Sequence, residues 1–448
     1  MMNREEIFDT INSDLADIHK LKTLFSDMNT VDIAEIFEEL DREKAVKIFR
    51  ILPKAIASDV FAYIDSDYQQ IIVEALTDTE INEIMSKLFM DDTVDFIEEM
   101  PANVVNRVLK NVPGEKRRLI NQILQYPDDS AGSIMTTEYV GLREDAIVRE
   151  AFDTIRSTGL NKDTIYTCYV ISKDRLIVGV VSAKDLMLAL PNDRICDIMD
   201  TNVIFASTID DQEVIAEQFH KYDLLAMPVV DMEQRLVGII TVDDIVDVII
   251  EESTEDIEKM GALAPSDEPY LKTGIFKLAR NRLFWLLVLM LSATLTGIII
   301  SNYEAKMLVM PILMVFIPLL MDTGGNAGSQ SSTLIIRGMA VGEINPRDIF
   351  IILWKEFRIA LLLGFGLGLI NVVWVYLIYG HNFMLSVAVT LTLYVTLVIA
   401  KILGCVLPIA AKCIKIDPAV MATPLITTVA DALSLVFYFN IAKMIFGL

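Results

Sequence analysis

The sequence predicts a chain in three parts: an acidic head of helices only, an α/β repeat, and a polytopic α-helical membrane domain. Three observations predict it. Charge is unevenly divided, because residues 271–448 hold 13 Lys and Arg against 7 Asp and Glu while the whole chain stands at −24. A repeat runs between Ala131 and Glu252, and apolar segments of spanning length follow it. An acidic half joined to an apolar half of few charges is the composition of a membrane protein with a large head. It excludes nucleic acid as a partner, since phosphate contacts need a basic surface.

The head comes first. Val31-x-Ile33-Ala34-x-Ile36-Phe37-x-x-Leu40 and Asp41-x-x-x-Ala45-Val46-x-Ile48-Phe49-x-x-Leu52 keep a helical period, with Pro53 and Pro101 as stops. Short antiparallel helices stacked as a small superhelix are expected over residues 28–130, with a further helical extension over 1–27. Met1–His19 is polar and acidic without an apolar core, so no signal peptide is expected. The cysteines (Cys168, Cys196, Cys405, Cys413) show no metal-ligand spacing, and the histidines (His19, His220, His381) lie far apart. No nucleophile–base pair, phosphate loop or metal triad appears, so an enzyme is not expected.

The repeat follows. Ser133-Ile-Met135 recurs as Asp197-Ile-Met199, and Gly179-Val-Val-Ser-Ala-Lys-Asp185 recurs as Gly238-Ile-Ile-Thr-Val-Asp-Asp244. Each copy reads as helix, strand, strand, helix: Ile147–Arg156, Cys168–Ser172, Leu176–Val181 and Ala183–Leu190, then Asp211–His220, Met227–Val230, Leu236–Ile240 and Val242–Ile250. Two such units in tandem, 131–195 and 196–243, resemble a CBS-domain pair. That resemblance implies a turn able to hold an adenosine ribose, with Ser182, Asp185, Thr241 and Asp244 as its residues and ATP or another adenine nucleotide as regulator.

Acids cluster twice, in Asp91-Asp92-x-x-Asp95-x-x-Glu98-Glu99 and in the run from Asp243 and Asp244 through Asp247, Glu251 and Glu255 to Glu258. The second run continues off the repeat as an amphipathic helix, the start of a connecting segment over 244–270. Two acidic faces on separate domains repel, and a divalent cation between them reverses the sign. Such a pair of faces is a cation-sensitive hinge.

The membrane part, 271–448, shows five apolar segments: Leu283–Ser301, Met307–Met321 with its continuation to Gln330, Ile359–Tyr379, Phe383–Ala410 and Ala419–Phe446. Basic residues cluster before the first, between the second and third, and between the fourth and fifth. The positive-inside rule then places the amino-terminal head in the cytosol and the carboxyl terminus outside. Asp431 sits near the middle of the last segment, where a carboxylate costs about 2.5–3.5 kcal/mol unless water, a cation or a partner offsets it. Asp417 lies at the cytosolic entrance of the same helix. In the second segment Asp322, Asn326 and Gln330 recur every four residues and share one helical face. Oxygen ligands without His or Cys suit hard cations such as Mg²⁺ or Ca²⁺.

The stretch Pro318-Leu-Leu-Met-Asp-Thr-Gly324-Gly325-Asn326-Ala-Gly328-Ser-Gln330, with Asp417-Pro418, Pro424 and Asp431, resembles the MgtE family of magnesium channels, as does the order of parts. The resemblance implies a plasma-membrane homodimer with one pore between subunits, lined by the second and fifth spans. Asp431, Asp417, Asn326 and Thr423 would face the ion, Thr423 standing where that family often has Asn. Asp91, Asp95, Asp247, Glu251, Glu255 and Glu258 would form a cytosolic Mg²⁺ sensor that holds the connecting helix as a plug. Other divalent cations (Mn²⁺, Co²⁺, Ni²⁺) stay open as cargo. A cation-coupled exchanger and a nucleotide-sensing membrane protein without transport are the alternatives.

Overall fold

The computed structural model describes residues 11, 18–266, 270–307, 310–380, 382–421 and 423–447. Most of the expected 1–27 extension and the Thr423 side chain lie outside the described part. The chain divides into two compact units, Met1–Val248 and Ile249–Leu448.

Among the described residues the first unit has nine short helices ahead of the repeat: α1 (Ile18–Ser26), α2 (Thr30–Glu38), α3 (Arg42–Ile51), α4 (Ala57–Tyr63), α5 (Ser66–Ala75), α6 (Asp78–Met85), α7 (Met90–Glu99), α8 (Ala102–Asn111) and α9 (Gly114–Ile123). Their starts are written in the sequence. Asn29 and Asp41 accept from backbone N–H groups of Val31 and Lys44, each at 2.9 Å, and Thr77 with Glu80 makes a capping box. Most helices pack on the next but one, so the array winds as a superhelix. Its core carries a ladder of edge-to-face rings, Phe37 to Phe49 to Phe61 to Phe96, with centroids 6.3, 5.9 and 5.3 Å apart.

Four basic side chains here are committed to helix ends. Arg50 donates to Ala75 O at 2.8 Å, and Arg107 to the Val73 and Glu74 carbonyls. Lys116 donates to Met85 O at 2.7 Å and Leu88 O at 2.6 Å, and Arg117 to Val112 O at 2.9 Å. Each satisfies carbonyls that a short helix leaves without partners.

The repeat forms two three-stranded sheets. The first is β1 (Gly141–Arg143), β2 (Thr167–Ile171) and β3 (Ile177–Ser182), with helices α10 (Val148–Thr158) and α11 (Ala183–Leu188). After the short α12 (Ile195–Ile198) comes the second, of β4 (Ala206–Ser207), β5 (Ala226–Val230) and β6 (Leu236–Thr241), with α13 (Gln212–Tyr222). In both the middle strand pairs parallel to the short first strand and antiparallel to the third. The hairpins match the sequence reading; the short strands add to it.

The copies interlock. Met135, at the start of the first copy, lies on Gly238 of the second, and Met199, at the start of the second, lies on Gly179 of the first. A Cβ on either glycine would stand 2.7 or 2.6 Å from the methionine sulfur. Thr136 and Ile239 exchange backbone hydrogen bonds at 2.8 and 2.9 Å, as Val180 and Asp200 do at 2.9 Å. The repeated motif is thus a reciprocal strap.

A long helix, α14 (Val242–Met260), runs straight off β6, and the division between the units falls within it. Among the described residues the second unit then has five helices long and apolar enough to cross a membrane: α15 (Ile275–Met307), α16 (Ile317–Ala340), α17 (Ile349–Ile378), α18 (Phe383–Cys413) and α19 (Thr423–Phe446). They outrun the apolar segments because charged residues such as Arg280, Arg337 and Lys412 continue the helices beyond the hydrocarbon-length stretch. α18 is the hub, packed by α16, α17 and α19, whereas α15 leans on α19 alone among the long helices it meets extensively. Close approach of α16 to α18 rests on Gly404, where a Cβ would stand against the Gly328 carbonyl oxygen. We expect Gly404→Val to force these helices apart and cost at least ~1–3 kcal/mol; a thermal melt of the purified protein within a degree of the parent would contradict that packing.

Candidate ion pathway and acidic cluster

Pro318 falls in the first turn of α16, where its missing N–H costs nothing. The helix then runs unbroken through its glycines. Gly324 faces Thr396 and Ser434, Gly325 faces Thr427, and Gly328 faces Ile426 and the Ala400 carbonyl. All three glycines are buried, so that side of α16 is a packing seam against α18 and α19. Asp322, Asn326 and Gln330 instead line an exposed side of α16. Both halves of the signature therefore have a use, one for packing and one for polarity.

Asp431 lies on α19, half-buried, with its Oδ1 enclosed and without a hydrogen-bond donor. Neighbouring hydroxyls do not help it. Thr427 and Thr428 both donate to the Pro424 carbonyl at 2.9 Å, and Ser434 donates to Ala430 O at 2.6 Å. The Pro424 carbonyl is therefore already engaged by two hydroxyls. Asp322 is close enough to Asp431 for the two charges to interact. A carboxylate oxygen enclosed without a donor, beside a second carboxylate, is a place for a cation.

Asp417 serves the entrance. Its Oδ1 accepts from the Ala419 N–H at 2.8 Å and its Oδ2 from Lys259 Nζ at 2.6 Å. Lys259 also meets Glu255 at 2.7 Å, and these partners raise its pKa against the opposing effect of burial. Met260 packs with Ile336 and Ala419, so the last turn of α14 rests at the ends of α16 and α19. Asp256 is raised by burial and then by Asp417.

A second constellation sits in the first unit. Asp91, Asp92 and Asp95 of α7 lie within electrostatic range of Asp244 at the head of α14, and Asp92 also feels Asp243. Burial, then neighbouring carboxylates, push Asp92 up to about 6 and Asp163 to about 7. Burial likewise carries Asp244 to about 6, against its hydrogen bonds from Thr241 and with Asp243 and Asp247 adding to it. Asp91 is raised well above the usual carboxylate range by the same causes, and its Oδ1 and Asp163 Oδ2 are enclosed without donors. A cavity of about 700 Å³ opens here, lined by Asp59, Tyr63, Asp92, Lys116 and Glu138 among others. Lys116 lies within electrostatic range of Asp91 and Asp92, and burial lowers its pKa.

Among the described residues no three His, Cys, Asp or Glu side chains converge closely enough to enclose a bare ion. The donor set is all oxygen, with two orphaned carboxylate atoms, which fits a hydrated hard cation bridging the faces. The other sensor candidates are spread along α14. Asp247 and Glu251 are exposed, Glu255 is paired with Lys259, and Glu258 accepts from the Ser266 N–H at 2.9 Å. Asp163 and Glu138 gave no signal in the sequence, being single acids in loops.

The two ribose-type turns have diverged. Ser182 donates to Asp185 at 2.5 Å on an exposed turn, while Thr241 donates to Asp244 at 2.7 Å with Asp244 half-buried among the acids.

Three stretches match known families. Residues 28–129 match the MgtE intracellular N domain, 131–192 and 195–251 the CBS domain, and 317–441 MgtE, a divalent cation transporter. The chain is 34% identical over 433 residues to a magnesium transporter MgtE of Thermus thermophilus, covering 96% of each. The chain belongs to the MgtE family. A Bacillus subtilis magnesium transporter MgtE is 32% identical, with 95% of this chain and 94% of the relative covered. Among solved structures, the cytosolic domain of the Mg²⁺ channel MgtE in complex with ATP superposes with a TM-score of 0.50 at 32% identity. It covers 52% of this chain and 95% of that one. The soluble part of a magnesium transporter gives 0.52 at 28% identity, covering 56% and 97%. An MgtE-family architecture of helical head, CBS pair, connecting helix and five candidate spans is therefore established for this chain.

The raised carboxylates set a pH dependence. The compact head binds more protons than the unfolded chain between about pH 4 and 7, so its stability falls as pH rises through that window. Without divalent cations, thermal melts of the protein should show a higher midpoint at about pH 6 than at about pH 8, and millimolar Mg²⁺ should raise the latter most. Equal midpoints in both buffers would contradict the cluster's charge state.

Proposed function

We propose that this chain is a magnesium channel that imports Mg²⁺ across the plasma membrane and is closed by Mg²⁺ in the cytosol. The observation that carries it is Asp431, with an enclosed, donor-free oxygen beside the exposed stripe of Asp322, Asn326 and Gln330. Two copies joined along α16 and α19 turn that half-lined face into a pathway, and the oxygen lining suits a hydrated Mg²⁺. The head is cytosolic and the carboxyl terminus external, with the basic loops inside. The two relatives, both magnesium transporters, support the cargo.

Gating follows from charge. At high cytosolic Mg²⁺, cations between Asp91, Asp92, Asp95, Asp163 and the Asp243–Asp247 turn hold the head compact. Glu251, Glu255 and Glu258 extend the same acidic helix towards the pore entrance, where Lys259 ties α14 to Asp417. When Mg²⁺ falls the carboxylates repel and α14 moves. The shift is driven by tighter cation binding to the closed form, as a ligand-driven change requires. ATP at the CBS pair, held by the Ser182–Asp185 turn, adds ligand energy to the compact state; the ATP complex of the related cytosolic domain supports this.

Reconstituted in liposomes with an internal Mg²⁺ indicator, the protein should admit Mg²⁺ down its gradient without Na⁺ or H⁺ coupling, and Asp431→Ala should abolish entry. Equal entry through both proteins would refute the pathway. Lys259→Met removes the ion-pair partner of Asp417 and Glu255. That variant should close only at several-fold higher Mg²⁺ in patch recordings; an unchanged closing concentration would remove Lys259 from the gate.

A further inference from the structure

Ser331 of α16, Glu356 of α17 and Lys401 of α18 form a closed polar ring inside the membrane unit. Lys401 Nζ donates to the Ser331 hydroxyl at 3.0 Å and to Glu356 Oε2 at 3.2 Å. The Ser331 hydroxyl donates to the same Oε2 at 2.8 Å. Glu356 is 7% exposed and Lys401 4%. Two charges this deep in an apolar bundle persist because each is the other's partner.

Position gives the ring its meaning. Lys401 and Gly404 are a turn apart on α18, and Gly404 lies against the carbonyl of Gly328, which is a turn before Ser331 on α16. The same two helix faces are therefore joined twice, once by backbone contact and once by the ring, and Glu356 brings in α17. Ser331 directly follows Gln330, the last residue of the exposed polar stripe. Whatever fixes Ser331 fixes the rotation of α16 about its axis, and with it the direction in which Gln330 and Asn326 face. The pair does this without adding net charge behind the pathway.

We propose that Glu356 and Lys401 are positioning residues of the ion pathway, holding α16 through Ser331 in the rotation that presents Asn326 and Gln330 to the passing cation. This rests on the pathway reading above. The test uses the full chain in liposomes, measuring Mg²⁺ entry against Mg²⁺ concentration and the ratio of Mg²⁺ to Mn²⁺ entry. A parent protein that carries no Mg²⁺ would refute the pathway and leave nothing to position; a parent that does allows the ring to be judged on its own.

Glu356→Gln and Lys401→Met each leave one buried charge unpaired and should lower Mg²⁺ entry about tenfold or more. The exchange Glu356→Lys with Lys401→Glu restores the pair and should recover most of it. Because either single change can also unfold the chain, Ser331→Ala is the decisive variant. It keeps the ion pair and removes only the link to α16. The expected result is parent-like elution and melting with a several-fold change in the Mg²⁺ to Mn²⁺ ratio. Parent-like selectivity in a folded Ser331→Ala protein overturns the proposal. So does a parent whose Mg²⁺ entry is driven by a proton gradient and loses that drive in Glu356→Gln, since the pair would then carry protons.

Discussion

The repulsion among carboxylates in the head is the constraint on which the rest depends. Asp91, Asp92, Asp163 and Asp244 are gathered where burial and mutual charge both disfavour ionisation. Four basic residues of the same head are committed to structure. Arg50, Arg107 and Arg117 close helix ends, and Lys116 gives its hydrogens to two backbone carbonyls while standing beside the acids. The aromatic ladder and the interlocked repeat hold such a head together, and on the proposed reading cations adjust it. The element that leaves the cluster is α14, through which the proposed gating would act.

The membrane unit solves a different problem, that of holding polar groups in an apolar bundle. α16 gives its glycine face to packing and leaves its amides and Asp322 on an exposed face. Asp431 stands beside that face without a donor, although Thr427, Thr428 and Ser434 are all nearby on α19. Each of those hydroxyls is bound back to its own helix, which keeps them from neutralising the carboxylate. At Asp417 the positive charge comes from within the chain, from a lysine of α14.

Much of this was legible in the sequence. Hydropathy marked the five long helices, the two Gly-strand-Ser/Thr-x-x-Asp turns marked the repeat, and spacing of four put Asp322, Asn326 and Gln330 on one face. What escaped did so for physical reasons. β1 and β4 are three and two residues long, too short for alternation to register. Asp163 and Glu138 join the cluster only through tertiary folding. Glu356 stands between Lys355 and Arg358 and reads as part of a charged loop, although it is buried. Lys401 did carry a signal, a lone charge inside an apolar run, and its partner could be found only in three dimensions. The exchange of Met135 and Met199 between copies was likewise invisible, because sequence order places each methionine next to the wrong glycine.

The central claim is that cations hold the faces of α7 and α14 together. Spin labels at exposed sites on α7 and on the first turns of α14, in the full-length protein, would report their separation by pulsed dipolar spectroscopy. Millimolar Mg²⁺ should give a short, narrow distance distribution, and a chelator should lengthen and broaden it. A distribution that stays the same in both conditions would contradict the account.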